Sequence, residues 1–276
     1  MSGYIPNVVS IAGVDPSGGA GVLADLKAFS ALGAYGCGVI AALTAQNTQS
    51  VTGVHLPPND FIRQQIDTLF DDVRIDAVKL GMLGQPDIVE TVADRLASHR
   101  PPYVVCDPVM VAKSGDLLLA REAVEQVREA LLPQSFMITP NLPEAGVLLG
   151  SSTPETRNEM LRSAEKLRRL LPDDGERWVL LKGGHLSGDA LVDILYDGDR
   201  MIEMQAERIP TRNTHGTGCT LSSAIAALLP RQPVEEAVRQ ARDYLIQAIT
   251  AADQLSVGSG HGPVHHFHAL WPQPQR

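Results

Sequence analysis

The chain has few cysteines, few aromatic residues and no long apolar run. Cys37, Cys106 and Cys219 are odd in number and far apart, with no CxxC pair. That argues against a disulfide framework and gives a reducing cytoplasm as the expected location. Aromatic residues make up 4% of the chain, so the core must be built from Ala, Val, Leu and Ile. No uninterrupted apolar stretch approaches the roughly 20 residues that span a bilayer. The N-terminal residues lack the basic and apolar regions of a signal peptide, so no membrane partner is expected. Lys plus Arg number 23 against 32 for Asp plus Glu, which argues against a nucleic-acid footprint. Two common nucleotide-binding signatures are also missing, since neither GxGxxG nor GxxxxGK[ST] occurs.

What is present is a near-continuous alternation of short β-rich runs and helical spacings. It argues for a single domain over residues 1–276, of α/β class, with a mostly parallel central sheet flanked by helices on both faces. A β-hairpin with an Asp197-Gly198 turn is expected near 190–205. Parallel crossovers place the carboxyl ends of the strands, and the polar residues that follow them, on one edge. Gly13 and the loop to Gly21 follow the first strand. Asp25 is then expected in the first turns of a helix, facing a ligand or capping N–H groups. Thr44 and Gln46 end the second strand, and Met82 ends the strand Ala77–Met82. Gln46 offers an amide suited to the edge of a heterocycle, although a solvated loop glutamine is the commoner case.

Asp107 and Val109 end the strand that begins at Val104. A carboxylate there suits a metal-bound water or a turn before Pro108. The following residues, 111–116, read as a polar flap. Asn141 and Glu144 stand three positions apart at a helix start, a spacing that serves either helix-dipole compensation or a hydrated Mg²⁺. Lys182, at a strand end before Gly183-Gly184, is placed as a point charge for phosphate or as a surface lysine. Thr214, Gly216, Thr217, Gly218 and Cys219 lie in a loop expected to run into a helix from Leu221. Glycines that turn the backbone, followed by a helix N-terminus, make an anion site. A thiol at such a position ionises more readily. The four histidines between His261 and His268 read as a segment folded over the domain rather than a metal site.

The strings AGVDPSGGAG (12–21), TAQNT (44–48), KLGML (79–83), DPVM (107–110), TPNLPEA (139–145), KGGH (182–185) and THGTGCT (214–220) together resemble the ribokinase-like superfamily. Within it they resemble its hydroxymethylpyrimidine/phosphomethylpyrimidine kinase branch. The resemblance implies ATP- and Mg²⁺-dependent phosphorylation of a small pyrimidine alcohol, then of its monophosphate, in thiamine biosynthesis, by a homodimer. It implies a pyrimidine pocket of Gly13, Asp25, Thr44, Gln46, Met82 and Val109. It places Lys182, Asn141, Thr214, Gly216 and Gly218 at ATP, and Asp107, Asn141 and Glu144 near Mg²⁺ and its waters. It makes Gly216, Thr217, Gly218 and Cys219 the anion hole. Sugar kinases of the superfamily carry Asp where this chain has Cys219. That supports the pyrimidine branch and makes the thiol the candidate base.

Overall fold

In the computed structural model, residues 3–110, 121–184 and 190–271 are described. In chain order they form β1 (Asn7–Val14), α1 (Gly21–Ala31), β2 (Tyr35–Gln46), β3 (Val51–His55), α2 (Asn59–Asp72), β4 (Ala77–Leu80), α3 (Pro86–His99) and β5 (Val104–Cys106). There follow α4 (Arg121–Gln126), β6 (Met137–Ile138), α5 (Leu142–Leu149), α6 (Arg157–Arg168), β7 (Trp178–Leu181), β8 (Ala190–Tyr196), β9 (Met201–Glu207), α7 (Thr217–Leu228) and α8 (Val234–Thr250). The chain divides into two compact units. One comprises Met1–Leu83, Pro101–Tyr103 and Ile209–Arg276, and the other Gly84–Arg100 and Val104–Arg208.

In the first unit the strand order is β3-β2-β1-β4. β1 pairs in parallel with β2 and β4, and β3 closes the edge in antiparallel. Val8, Val9 and Ile11 are fully buried, the continuous apolar reading expected of a parallel strand covered on both faces. α1 packs on α7, β1 and β2, and α7 packs on α8. In the second unit the order is β5-β6-β7-β8-β9. β5, β6 and β7 are parallel, while β8 and β9 form the expected antiparallel hairpin.

Several boundaries differ from the sequence expectation, each for a local reason. Pro58-Asn59-Asp60 reads in the sequence as the cap of a helix from Phe61; Pro58 is indeed the N-cap, without a side-chain cap bond, and the helix already begins at Asn59. β3 was not expected, because Gly53 and its half-polar composition carry no strand period. The helix from Arg121 loosens into a π-turn over Val127–Leu131. Most important, α7 starts at Thr217 rather than Leu221. Gly216 takes φ 76° as its N-cap, so Gly218 and Cys219 fall in the first helical turn. The flap at 111–116 and His185 lie outside the described residues.

The first unit is organised around one buried charge pair. Lys79 on β4 and Asp25 on α1 are both fully buried, and the lysine ammonium is 2.9 Å from each carboxylate oxygen. Ser10 on β1 donates to Asp25 Oδ2 at 2.5 Å, and Ser223 on α7 donates to Oδ1 at 2.7 Å. One carboxylate therefore ties two strands to two helices. Removing one member of such a pair leaves the other charge uncompensated. Lys79→Met is expected to destabilise the chain by about 3–5 kcal/mol. Lys79→Met with Asp25→Leu should recover part of that loss. Urea unfolding of the three proteins checks this, and equal midpoints would contradict it.

Candidate active site

In the first unit, the carboxyl end of β1 feeds a glycine-rich loop that lies directly against the start of α7. Asp15 is buried and accepts hydrogen bonds from Ser17 N at 2.9 Å, Ser17 Oγ at 2.9 Å and Ala20 N at 3.1 Å. His215 Nε2 donates to the same carboxylate at 2.7 Å. Burial pushes the Asp15 carboxyl up, but the His215 and Ser17 hydrogen bonds outweigh it and hold the acid below its ordinary value. The two loops meet through glycine. A Cβ on Gly216 would lie 1.7 Å from the Gly19 carbonyl, and one on Gly19 would lie 2.4 Å from His215 Cδ2. The αL conformation of Gly216 turns the chain so that α7 opens with its first-turn N–H groups, Cys219 among that turn, at the expected anion site.

The expected pyrimidine residues of this unit divide into two sorts. Gly13 N donates to Met82 O at 3.1 Å, and the same glycine faces Met82 Cε. The Thr44 hydroxyl is 2.9 Å from the Val14 carbonyl and 3.1 Å from Gln46 Oε1. Gly13, Thr44, Gln46 and Met82 therefore cluster at the ends of β1, β2 and β4. Asp25 does not stand with them as a surface group. Ala20 is the N-cap of α1 without a side-chain bond, so Asp25 caps nothing. Both its oxygens are held within the core by Lys79, Ser10 and Ser223.

The second unit gathers the other set. Lys182 follows β7 and lies 3.0 Å from Asp107 Oδ1, just beyond β5. The Thr139 hydroxyl is 3.2 Å from the same oxygen. Asn141 bridges to Lys182 in parallel and caps α5. Its Oδ1 accepts from Glu144 N at 2.9 Å, and Glu144 Oε2 accepts from Asn141 N at 2.8 Å. The Asn-x-x-Glu spacing is thus a capping box. Burial pushes the Glu144 carboxyl up to about 7. The Lys182 charge opposes the rise, the Asp107 charge adds to it, and N–H groups of Asn141 and Met110 oppose it. Val109 is half-buried beyond Asp107. A separate cleft of about 690 Å³ in this unit, lined by Glu165, Arg168, Asp173 and Asp197, contains none of the expected residues.

The profile of the phosphomethylpyrimidine kinase family matches residues 15–265. A hydroxymethylpyrimidine/phosphomethylpyrimidine kinase of Salmonella typhimurium is 53% identical over 266 residues, covering 96% of this chain and 98% of that one. The chain belongs to the phosphomethylpyrimidine kinase family. Among solved structures, a phosphomethylpyrimidine kinase from Clostridium difficile is 40% identical with a TM-score of 0.79, covering 88% of this chain and 99% of its own. A Bacillus subtilis pyridoxal kinase in complex with ADP is 35% identical with a TM-score of 0.88, covering 96% of this chain and 99% of its own. The α/β fold is therefore the ribokinase-like one expected.

Four residues in these clusters and in the core beside them, Asp15, His215, Lys79 and Thr139, went unread in the sequence. The Asp15–His215 pair joins residues 200 positions apart, and only the Asp-Pro-Ser turn signature hinted at a local role for Asp15. Lys79 sits inside an apolar strand, a position that by itself signals a buried counter-charge. Thr139 gave no signal. Glu144 generates a pH test. Its acid is neutral at higher pH in the folded chain than its ordinary 4.5 allows. That contribution is present below pH 4.5 and is lost as pH rises through 7. Glu144→Gln, which cannot ionise, should gain on the parent across this window by up to about 3 kcal/mol. Urea unfolding without divalent cations at pH 5 and pH 8 measures it, and a constant difference would refute the assignment.

Proposed function

We propose that the chain transfers the γ-phosphoryl group of ATP to the hydroxymethyl oxygen of 4-amino-5-hydroxymethyl-2-methylpyrimidine, and then transfers a second one to the monophosphate. The observation that carries the reading is the start of α7 at Thr217 behind the Gly216 N-cap, which puts Cys219 within the first turn of an anion-binding helix. Gln46, with Thr44 fixing its oxygen, reads the ring edge, and Gly13 and Met82 line the pocket. Asp25 contributes from beneath through the core. The N–H groups of Thr217, Gly218 and Cys219 hold the transferring phosphoryl group.

In the first transfer the bond from the γ-phosphorus to the bridging oxygen of ADP breaks, and the bond to the hydroxymethyl oxygen forms. The Cys219 thiolate takes the hydroxyl proton. In the second transfer the acceptor is already anionic and needs no strong base. Lys182, with Asn141 and Thr214, binds the nucleotide.

The residues present fit Mg²⁺. Asp107 and Glu144 set two carboxylates near one ammonium, and burial, with the Asp107 charge adding to it, holds the Glu144 acid up. Among the described residues there is no cluster of three or more His, Cys, Asp or Glu side chains able to cage a metal. Asp107, Glu144 and Asn141 would therefore hold the ion through water, as suits Mg²⁺. When bound, the ion neutralises phosphate charge.

Pyridoxal is the second reading, favoured by the close match to a pyridoxal kinase backbone. ADP release with the pyrimidine alcohol, its monophosphate and pyridoxal in parallel decides between them. Turnover of pyridoxal alone would overturn the pyrimidine reading. Phosphoryl transfer relies on charge stabilisation more than on the base. Lys182→Ala should therefore lower kcat by about 100-fold or more and Cys219→Ala by less. Undiminished turnover of Cys219→Ala would remove its role as base.

The chain is further read as a cytoplasmic homodimer. No disulfide joins its three cysteines. No helix among the described residues is long and apolar enough to cross a membrane. The edge formed by β2 and β3, with the start of α2, exposes Leu43, Val51, Val54 and Phe61, which suits a second copy. Val54→Asp should convert the dimer to a monomer, and light scattering with an unchanged mass would contradict this interface.

A further inference from the structure

The segment Gly262–His268 is bound to the anion-site loop at successive points. His215 N donates to the Gly262 carbonyl at 3.1 Å, and His215 bridges to Pro263 in parallel. Gly262 sits against Asn213, where a Cβ would lie 2.3 Å from Oδ1. Four residues on, His266 Nε2 is 3.0 Å from the Thr220 hydroxyl. Thr220 is the residue after Cys219, and its own N–H closes the first turn of α7 onto the Gly216 carbonyl at 2.8 Å. Both partners are buried, Thr220 completely.

The imidazole is itself held on its backbone. Tyr244 of α8 donates its hydroxyl to the His266 carbonyl at 2.8 Å, and the neighbouring His265 N donates to the Ala248 carbonyl at 2.9 Å. Burial first, then the charges of Lys27 and His265, push the His266 imidazolium down to about 3, so the ring is neutral throughout the working range of pH. A neutral imidazole has one donor and one acceptor nitrogen, and either tautomer can complete the bond to a hydroxyl. The ring therefore neither shuttles protons nor adds charge. What remains is geometry: α8 fixes His266, His266 fixes Thr220, and Thr220 fixes the turn that carries Gly218 and Cys219.

We propose that His266 is a positioning residue for phosphoryl transfer, holding the first turn of α7 in register through the Thr220 hydroxyl. This rests on the anion-site reading of α7. It separates two properties that a merely structural residue would lose together. The pyrimidine cluster at Gly13, Thr44, Gln46 and Met82 stands on other elements, so the pyrimidine should still bind when the turn shifts. Transfer should not survive, because misplacement by a fraction of an ångström to an ångström at a transferring group costs roughly ten- to a hundredfold in rate.

The test compares the parent with Thr220→Val, His266→Leu and His266→Gln. kcat is read by ADP release, pyrimidine affinity by calorimetry, and amide exchange over Gly216–Leu221 by mass spectrometry. Thr220→Val and His266→Leu should lower kcat about ten- to a hundredfold with pyrimidine affinity within about twofold, and should speed exchange in the turn. His266→Gln, whose amide reaches the same hydroxyl, should restore most of both. The proposal is overturned if kcat and affinity fall by the same factor, if kcat does not fall, or if Gln is no better than Leu. Should His266→Leu fail to fold, Thr220→Val, which removes one hydroxyl, decides alone. Exchange in the turn responds whether or not the chain turns over the pyrimidine. Faster exchange in variants of an inactive parent would therefore uphold the positioning and sink the kinase reading, and unchanged exchange would sink the positioning.

Discussion

A lysine ammonium with no access to water stands at the centre of the first unit, and the surrounding architecture answers to it. Burying an ion is costly unless its partner and remaining donors are all matched. Lys79 meets this condition with both oxygens of Asp25, and Asp25 with the hydroxyls of Ser10 and Ser223. The consequence for the site is indirect but strong. α1 follows the glycine loop, and α7 begins with the turn proposed to bind phosphate. Anchoring Asp25 and Ser223 on one carboxylate sets these two helices at a fixed offset, which the loop contacts of Gly19 and Gly216 then require. The core pair and the backbone contacts state the same constraint at two depths.

The second unit follows a different rule. There a charge imbalance is left in place: Asp107 and Glu144 lie near one lysine, and the acid of Glu144 is raised by burial first, with the Asp107 charge adding to it. A structure serving stability alone would have replaced one carboxylate. On the proposed function, a nucleotide arriving with its cation relieves the repulsion between the two carboxylates. Perturbed acids of this kind are a physical mark of function.

Much of this was legible in the sequence because strand ends of a parallel sheet are marked by abrupt changes from apolar to small or polar residues. Gln46, Asp107, Asn141 and Lys182 all follow such changes, and all stand where the pattern put them. Asp25 was misread because its position near a helix start suits a cap equally well. Only the buried Lys79 opposite it, more than fifty residues away, decides that the carboxylate points inward. The start of α7 was placed four residues late, since Gly216 and Gly218 read as loop. A positive φ at Gly216 is a helix cap once tertiary contacts fix it, and composition cannot distinguish that from a turn. Asp15–His215 and Thr220–His266 were unreadable for a related reason, because hydrogen bonds across long separations leave no periodic trace.

The close approach of Gly19 and Gly216 bears on how such a chain can change over generations. At Gly216 the obstacle is the Gly19 carbonyl, so no side chain fits there without moving the opposite loop, whereas at Gly19 it is the His215 ring. A substitution at Gly216 cannot be accommodated by trimming a neighbouring side chain, because what it meets is backbone. Drift is thus most firmly barred at Gly216, a contact that leaves the side chains of β2 free to vary. On the proposed function, acceptor preference can then change on β2 above an unaltered backbone seam, a route by which one scaffold comes to serve different small ring alcohols.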